Sequence, residues 1–274
     1  MNIFHAIFLG FVQGFTEFFP VSSSGHLTLF QEIFGLKIKN RVLFDIFLHF
    51  GTLLSVIIVF RKDIVELIKE FFYFLGDFIK FNPKVNKNYN RRLIMMLISS
   101  AVPLVFVAIF KKFFEEIFDN LKIVGMSLVI TGILIWFIDK VVYGDKTSSN
   151  ASFFSAFLVG LSQVIAVIPG LSRSGITIFS AVLLGYKKKF AIKFSFLMSI
   201  IAICGAMVLE LSHGFSFINI LKPLEVFTYF LSVIASCISG IFAIKFFTVL
   251  MEKNKFHYFS YYCLIVGTIV TLYR

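Results

Sequence analysis

The sequence predicts an all-α polytopic membrane protein, with six transmembrane helices and two re-entrant helical hairpins laid out as an inverted-topology repeat. Three observations predict it: the composition, a series of apolar stretches of spanning length, and two polar breaks 150 residues apart. Of 274 residues, 58% are hydrophobic and 15% charged, against roughly 25% charge in soluble domains. That balance excludes a soluble domain.

Apolar stretches near the ~20 residues a spanning helix needs recur at about 42 to 60, 93 to 110, 123 to 141, 193 to 211, 225 to 249 and 258 to 273. Six spans is the plainest count. The first apolar stretch begins at Ile3 with no basic region before it and no small-residue cleavage site after it, so it is expected to stay in the protein rather than act as a leader. Cys204, Cys237 and Cys263 each sit inside an apolar stretch without metal-ligand spacing, and are expected to be free thiols.

Sliding the sequence on itself by 150 residues aligns Gly10 with Gly160, Gln13 with Gln163, Ser22 with Ser172, Ser24 with Ser174, Gly25 with Gly175, Gly35 with Gly185 and Phe44 with Phe194. One integral membrane domain, 1–274, is therefore expected to contain repeat one at about 1–141 and repeat two at about 152–274. Each repeat opens on an apolar stretch cut by a polar break, Pro20 to His26 and Pro169 to Thr177, and only about ten residues follow before Gly35 or Gly185. Ten helical residues at ~1.5 Å each cover about half a bilayer, so both stretches read as hairpins that return to the side they entered from. Three spans between the hairpins invert the second repeat. Irregular backbone at depth is tolerated where it lines a polar cavity, so the two breaks should meet in one site.

Lys and Arg orient the chain. Segments 61–92, 139–151, 187–193 and 251–257 hold 16 of them, whereas 35–41, 111–122, 212–224 and Arg274 hold 8. The positive-inside rule then puts both termini outside. The net charge of +11 is loop charge of this kind, with no nucleic-acid-binding motif, so no nucleic-acid partner is expected. Ile64, Leu67, Ile68, Phe71, Phe72 and Leu75, with Lys69 and Lys80, suit a helix lying among the lipid headgroups.

The breaks carry the chemistry. Pro20-Val21-Ser22-Ser23-Ser24-Gly25-His26 stops one helix and starts another, leaving backbone N–H groups free to cradle an anion. Pro169-Gly170-Leu171-Ser172-Arg173-Ser174-Gly175 repeats it with an Arg, whose fork suits phosphate oxygens. Arg173 either clamps an anion or pairs with Glu17 and ties the hairpins together. Glu17, one turn from Gln13, needs a cation, and orients His26, binds a divalent metal or balances Arg173. Base, nucleophile and anion clamp are all present. Asp45 and His49, four apart on the next helix, either line the cavity wall or satisfy one another, and the second is the expectation.

At these residues the chain resembles a known family: GFVQGFTEFFPVSSSGHL and PGLSRSGITI are similar to the two signature motifs of the undecaprenyl-diphosphate phosphatases, the bacitracin-resistance family. The resemblance covers nearly the whole chain. It implies hydrolysis of undecaprenyl diphosphate to the monophosphate and inorganic phosphate in the bacterial plasma membrane, recycling the lipid carrier for cell-wall synthesis and conferring bacitracin resistance. It implies Glu17, Ser23, His26 and Arg173 as catalytic residues, with Gln13, Ser172, Ser174 and Thr177 around the substrate; Ser22, Ser24, Gly25 and Gly175 are expected beside them as the rest of the two cradles. A divalent cation, Mg2+ or Ca2+, is expected on Glu17. Position 13 is Gln where the family also uses Glu, so Glu17 is expected to act as a lone carboxylate. Ser23 is expected to attack phosphorus with His26 as its base; attack by His26, or by a water it activates, is the alternative. Expected partners are the polyprenyl diphosphate and membrane lipids, with a homodimer left open. The competing class is a transporter or flippase of an anionic lipid or small anion, because crossed hairpins are also a transporter architecture. Acid-phosphatase-like lipid phosphatases share Ser-Gly-His and Ser-Arg motifs, but their Lys-to-Arg-Pro spacing and later His are missing here.

Overall fold

The computed structural model describes residues 1–36, 38, 41–80, 88–109, 120–214, 222–253 and 255–272. The described residues form twelve helices: α1 Ile3–Phe18, α2 Ser23–Ile33, α3 Arg41–Val59, α4 Arg61–Ile79, α5 Tyr89–Ala101, α6 Leu104–Ile109, α7 Leu121–Ile138, α8 Phe153–Ile165, α9 Arg173–Leu183, α10 Lys188–Gly214, α11 Pro223–Glu252 and α12 His257–Leu272. Five stretches are long and apolar enough to cross a membrane: Arg41–Val59, Tyr89–Val107, Leu121–Ile138, Lys188–Leu209 and Pro223–Met251. The protein is an all-helical polytopic membrane protein. The sixth expected span, 258 to 273, is the 16-residue α12, ~24 Å of helix against a ~30 Å hydrocarbon core; Tyr273 lies outside the described residues. Pro103 divides the second span into α5 and α6, since it offers no N–H to the ladder. Much of the charge that the sequence assigns to the outer side, including Lys37, Lys39, Lys111, Lys112 and Arg274, also lies outside the described residues.

The two broken stretches fold alike. α1 ends at Phe18 because Pro20 comes next but one, and the residue before the proline, Phe19, is extended at φ −68°, ψ 141°, as a pre-proline residue prefers. α2 then runs 11 residues and stops at Gly35, φ +57°. In the second stretch α9 also runs 11 residues and stops at Gly185, φ +83°. Both stops use glycine in the left-handed region just past a helix end.

Small residues let the longer helices approach closely. Gly10 and Gly14 of α1 face Ser232, Ser236 and Ser239 of α11, and a Cβ built on Gly14 would lie 2.3 Å from Ser236 O. α7 packs closely on α12 in the same way, through Gly125, Gly132 and Gly267. One apolar cluster gathers Phe18, Val21, Phe196, Phe247 and Phe259, and a second gathers Leu9, Leu27, Phe44, Leu48 and Tyr229. The first break runs between them.

α4 occupies the segment in which the sequence suggests a helix at the headgroups. None of its residues is buried; Ile64 and Leu67 pack against the first apolar cluster, and the wholly buried Arg91 of α5 donates to Glu70 and Asp77, both at 2.7 Å.

Candidate active site

The two breaks touch. A Cβ on Gly25 would stand 3.1 Å from Gly170 Cα, and one on Gly175 would stand 3.3 Å from Pro20 Cβ. Ser174 Oγ donates to Phe19 O at 3.3 Å. Each break is also held by a distant helix. Thr131 of α7 donates to Gly170 O at 3.1 Å and accepts from Ser172 N at 3.0 Å, while Cys263 of α12 lies 3.7 Å from Pro20 O.

Each break presents the same cap. Ser22 Oγ accepts from Gly25 N at 3.3 Å, and Ser172 Oγ from Gly175 N at 3.1 Å. A second hydroxyl stands beside each cap, Ser24 at 3.4 Å and Ser174 at 3.2 Å. The caps differ in strain. Ser172 is relaxed at φ −84°, whereas Ser22 is the one non-glycine residue with positive φ among the described residues, at +68°, a conformation that costs ~1–3 kcal/mol and is characteristic of functional sites.

Glu17 is where the halves converge. Arg173 Nη2 donates to its Oε1, Ser23 Oγ to its Oε2 at 2.6 Å, and Gln13 Nε2 to the same oxygen at 3.1 Å. The pairing reading of Arg173 is the one the contacts show: Nη2 ties the two breaks together through Glu17, while Nη1 is buried with no hydrogen-bond partner. An unpaired guanidinium N–H in a buried site is costly and is well suited to an anion. Ser23 is half-buried and accessible.

His26 is not engaged with Ser23. Its Nδ1 lies 2.7 Å from Ser22 O and its Nε2 lies 2.7 Å from the hydroxyl of Tyr262. The hydrogen-bond acceptor of the Ser23 hydroxyl is Glu17. Tyr262, on the last helix and 236 residues away, carries no motif that sequence reasoning could seize on. His49 belongs to the site as well, rather than to Asp45. Its Nδ1 takes the backbone carbonyl of Asp45 at 2.8 Å, not the carboxylate, which faces Arg41 at 3.8 Å. Its Nε2 lies 3.9 Å from Glu17 Oε2, which places it on the site wall. Thr177 is buried, with its hydroxyl engaged by Arg173 O at 2.8 Å and Ser195 Oγ at 2.7 Å.

The donor set fits a divalent ion only in part. Gln13 Oε1 is buried without a partner and stands one turn from Glu17, giving a neutral and an anionic hard oxygen. Among the described residues no three His, Cys, Asp or Glu side chains gather as a metal cage. Such a pair suits an ion whose remaining ligands are phosphate oxygens and water.

The model of the bacitracin resistance protein BacA family matches residues 6–269. A protein named undecaprenyl-diphosphatase from Alkaliphilus metalliredigens is 41% identical over 280 aligned residues, covering 100% of this chain and 99% of the relative. Proteins of the same name from Carboxydothermus hydrogenoformans and Halothermothrix orenii are 39% and 37% identical, covering 98% and 99% of this chain and 97% and 98% of theirs. With two motif-bearing breaks meeting on one carboxylate and a match running almost end to end, this chain belongs to the bacitracin resistance protein BacA family.

Proposed function

We propose that this protein hydrolyses undecaprenyl diphosphate to undecaprenyl phosphate and inorganic phosphate within the plasma membrane. The observation that carries the reading is the Glu17 junction: a nucleophile, an acceptor for its proton and a buried guanidinium N–H without a partner occupy one place. Relatives that bear this activity in their names share more than a third of its sequence along the whole chain.

The chemistry follows from the contacts. The terminal phosphoryl group sits between the N-termini of α2 and α9, where unpaired N–H groups and two helix dipoles favour negative charge. Arg173 Nη1 takes one of its oxygens. Ser23 Oγ attacks phosphorus as its proton passes to Glu17 Oε2; the Oγ–P bond forms, and the bond to the bridging oxygen of undecaprenyl phosphate breaks. In the second step water attacks the phosphoserine, His26 accepts the proton from water, and Ser23 recovers its own from Glu17 as phosphate leaves. Catalysis of this kind is mostly positioning and charge stabilisation. Glu17 and Gln13 Oε1 would hold a divalent ion, which would supply further neutralisation of the diphosphate charge.

In the membrane the chain makes six spans with α12 as the last, and α1–α2 and α8–α9 form re-entrant hairpins of an inverted repeat. Both termini lie outside and the site opens outward. His49 and Asp45, near the outer end of α3 and partly exposed, support that direction.

Phosphate release from undecaprenyl diphosphate by the purified protein, abolished in Glu17→Ala and reduced at least tenfold in Arg173→Lys, is the expected result. Lipid translocation without phosphate release would favour a carrier and overturn the proposal.

A further inference from the structure

His26 is 1% exposed, so the protons it exchanges must travel along its hydrogen bonds. Nδ1 faces a backbone carbonyl, Ser22 O at 2.7 Å, and a carbonyl only accepts, so Nδ1 carries the hydrogen. Nε2 is then the nitrogen that gains or loses a proton. The group 2.7 Å from Nε2 is the Tyr262 hydroxyl, and the two rings lie nearly parallel, 14° apart with centroids separated by 5.6 Å. A phenol hydroxyl is both donor and acceptor. It donates to neutral His26, and it accepts once Nε2 is protonated.

We infer that Tyr262 is the proton relay of His26: as water attacks the phosphoserine, its proton passes to Tyr262 Oη while the Tyr262 proton passes to His26 Nε2. The relay makes one O–H bond on Tyr262 as another breaks, and leaves hydroxide on phosphorus and a positive charge on His26. This assignment rests on the hydrolytic reading above, but assigns a role to α12, which carries neither signature motif. Tyr262 is 43% exposed, so part of its ring is not packed by protein. Cys263, the next residue, packs against Pro20 O, so α12 meets the first break at both positions.

The test is Tyr262→Phe, which removes one oxygen and keeps the ring. Phosphate release should fall at least tenfold in kcat with KM within threefold of the unaltered protein, and unfolding temperature should be little changed. In protein labelled with 15N-histidine, with the His26 signal identified by its loss in His26→Gln, Nε2 should shift towards the value of an unbonded imidazole nitrogen. A kcat within twofold of the unaltered protein, or an unmoved Nε2 signal, would overturn the relay. If the unaltered protein itself releases no phosphate, the hydrolytic reading fails instead.

Discussion

Breaking the Glu17–Arg173 pair from either side should cost more than half of what breaking it from both sides costs. The side chains are 6% and 17% exposed, which puts the pair in the buried regime, where removing one partner costs ~3–5 kcal/mol because the survivor stays charged without compensation. Glu17→Gln keeps shape but points an amide N–H₂ at the Ser23 or Gln13 donors, and Arg173→Met keeps length without charge. Summed as independent changes they would cost ~6–10 kcal/mol; with no stranded charge in the double variant, the measured cost should fall ~2–3 kcal/mol short of that sum. Stability is read by denaturant unfolding in detergent, followed by far-ultraviolet circular dichroism. Additivity to within ~0.5 kcal/mol would refute the coupling, and with it the claim that this pair joins the two breaks. All three variants should be inactive, so the cycle reports the scaffold and not the turnover.

Gly170→Ala should be far more damaging than Gly35→Ala, although both glycines have positive φ. At Gly35 a Cβ meets nothing within 4 Å, whereas at Gly170 it would lie 2.3 Å from Val124 O; thermal unfolding should show ~1–2 kcal/mol lost at Gly35 and a much larger loss at Gly170. Arg91→Met should free α4 from the bundle, because Glu70 and Asp77 lose the buried guanidinium they share. Hydrogen exchange along α4 should quicken while α7 and α12 stay protected; unchanged exchange in α4 would mean that its apolar contacts alone hold it.

The breaks, the repeat offset and the participants are legible in the sequence because each has a local signature: a proline, a Ser/Gly run, a charged residue in an apolar stretch. The wiring is not. Ser23 and His26 are three apart, a spacing that suggests a pair, but both sit in the first turn of α2, where carbonyls just before the helix compete for side-chain donors. Ser22 O takes the ring of His26, leaving Ser23 to Glu17. His49 and Tyr262 come from helices 23 and 236 residues from His26 in sequence, and long-range partners of that kind leave no periodicity to read. Pairing Asp45 with His49 fails for a related reason: the i, i+4 spacing is right, but a partly desolvated His finds the nearer backbone carbonyl and leaves the carboxylate to Arg41.

Positions 23 and 173 are equivalents under the 150-residue offset, and both donate to Glu17, Ser23 to Oε2 and Arg173 to Oε1. The position equivalent to Glu17 is Val167, and that of His26 is Ile176, so the second break carries no carboxylate or imidazole at these positions. A single carboxylate therefore receives a side chain from each of the two breaks. This explains the strain: Ser22 adopts φ +68° where Ser172 relaxes to −84°, although both make the same cap. The difference lies in the next residue along each chain segment. Ser23 is short and must be turned back onto Glu17, whereas Arg173 reaches the carboxylate across the junction from unstrained backbone. The repeat whose side chain is too short to reach is the one that bends its main chain.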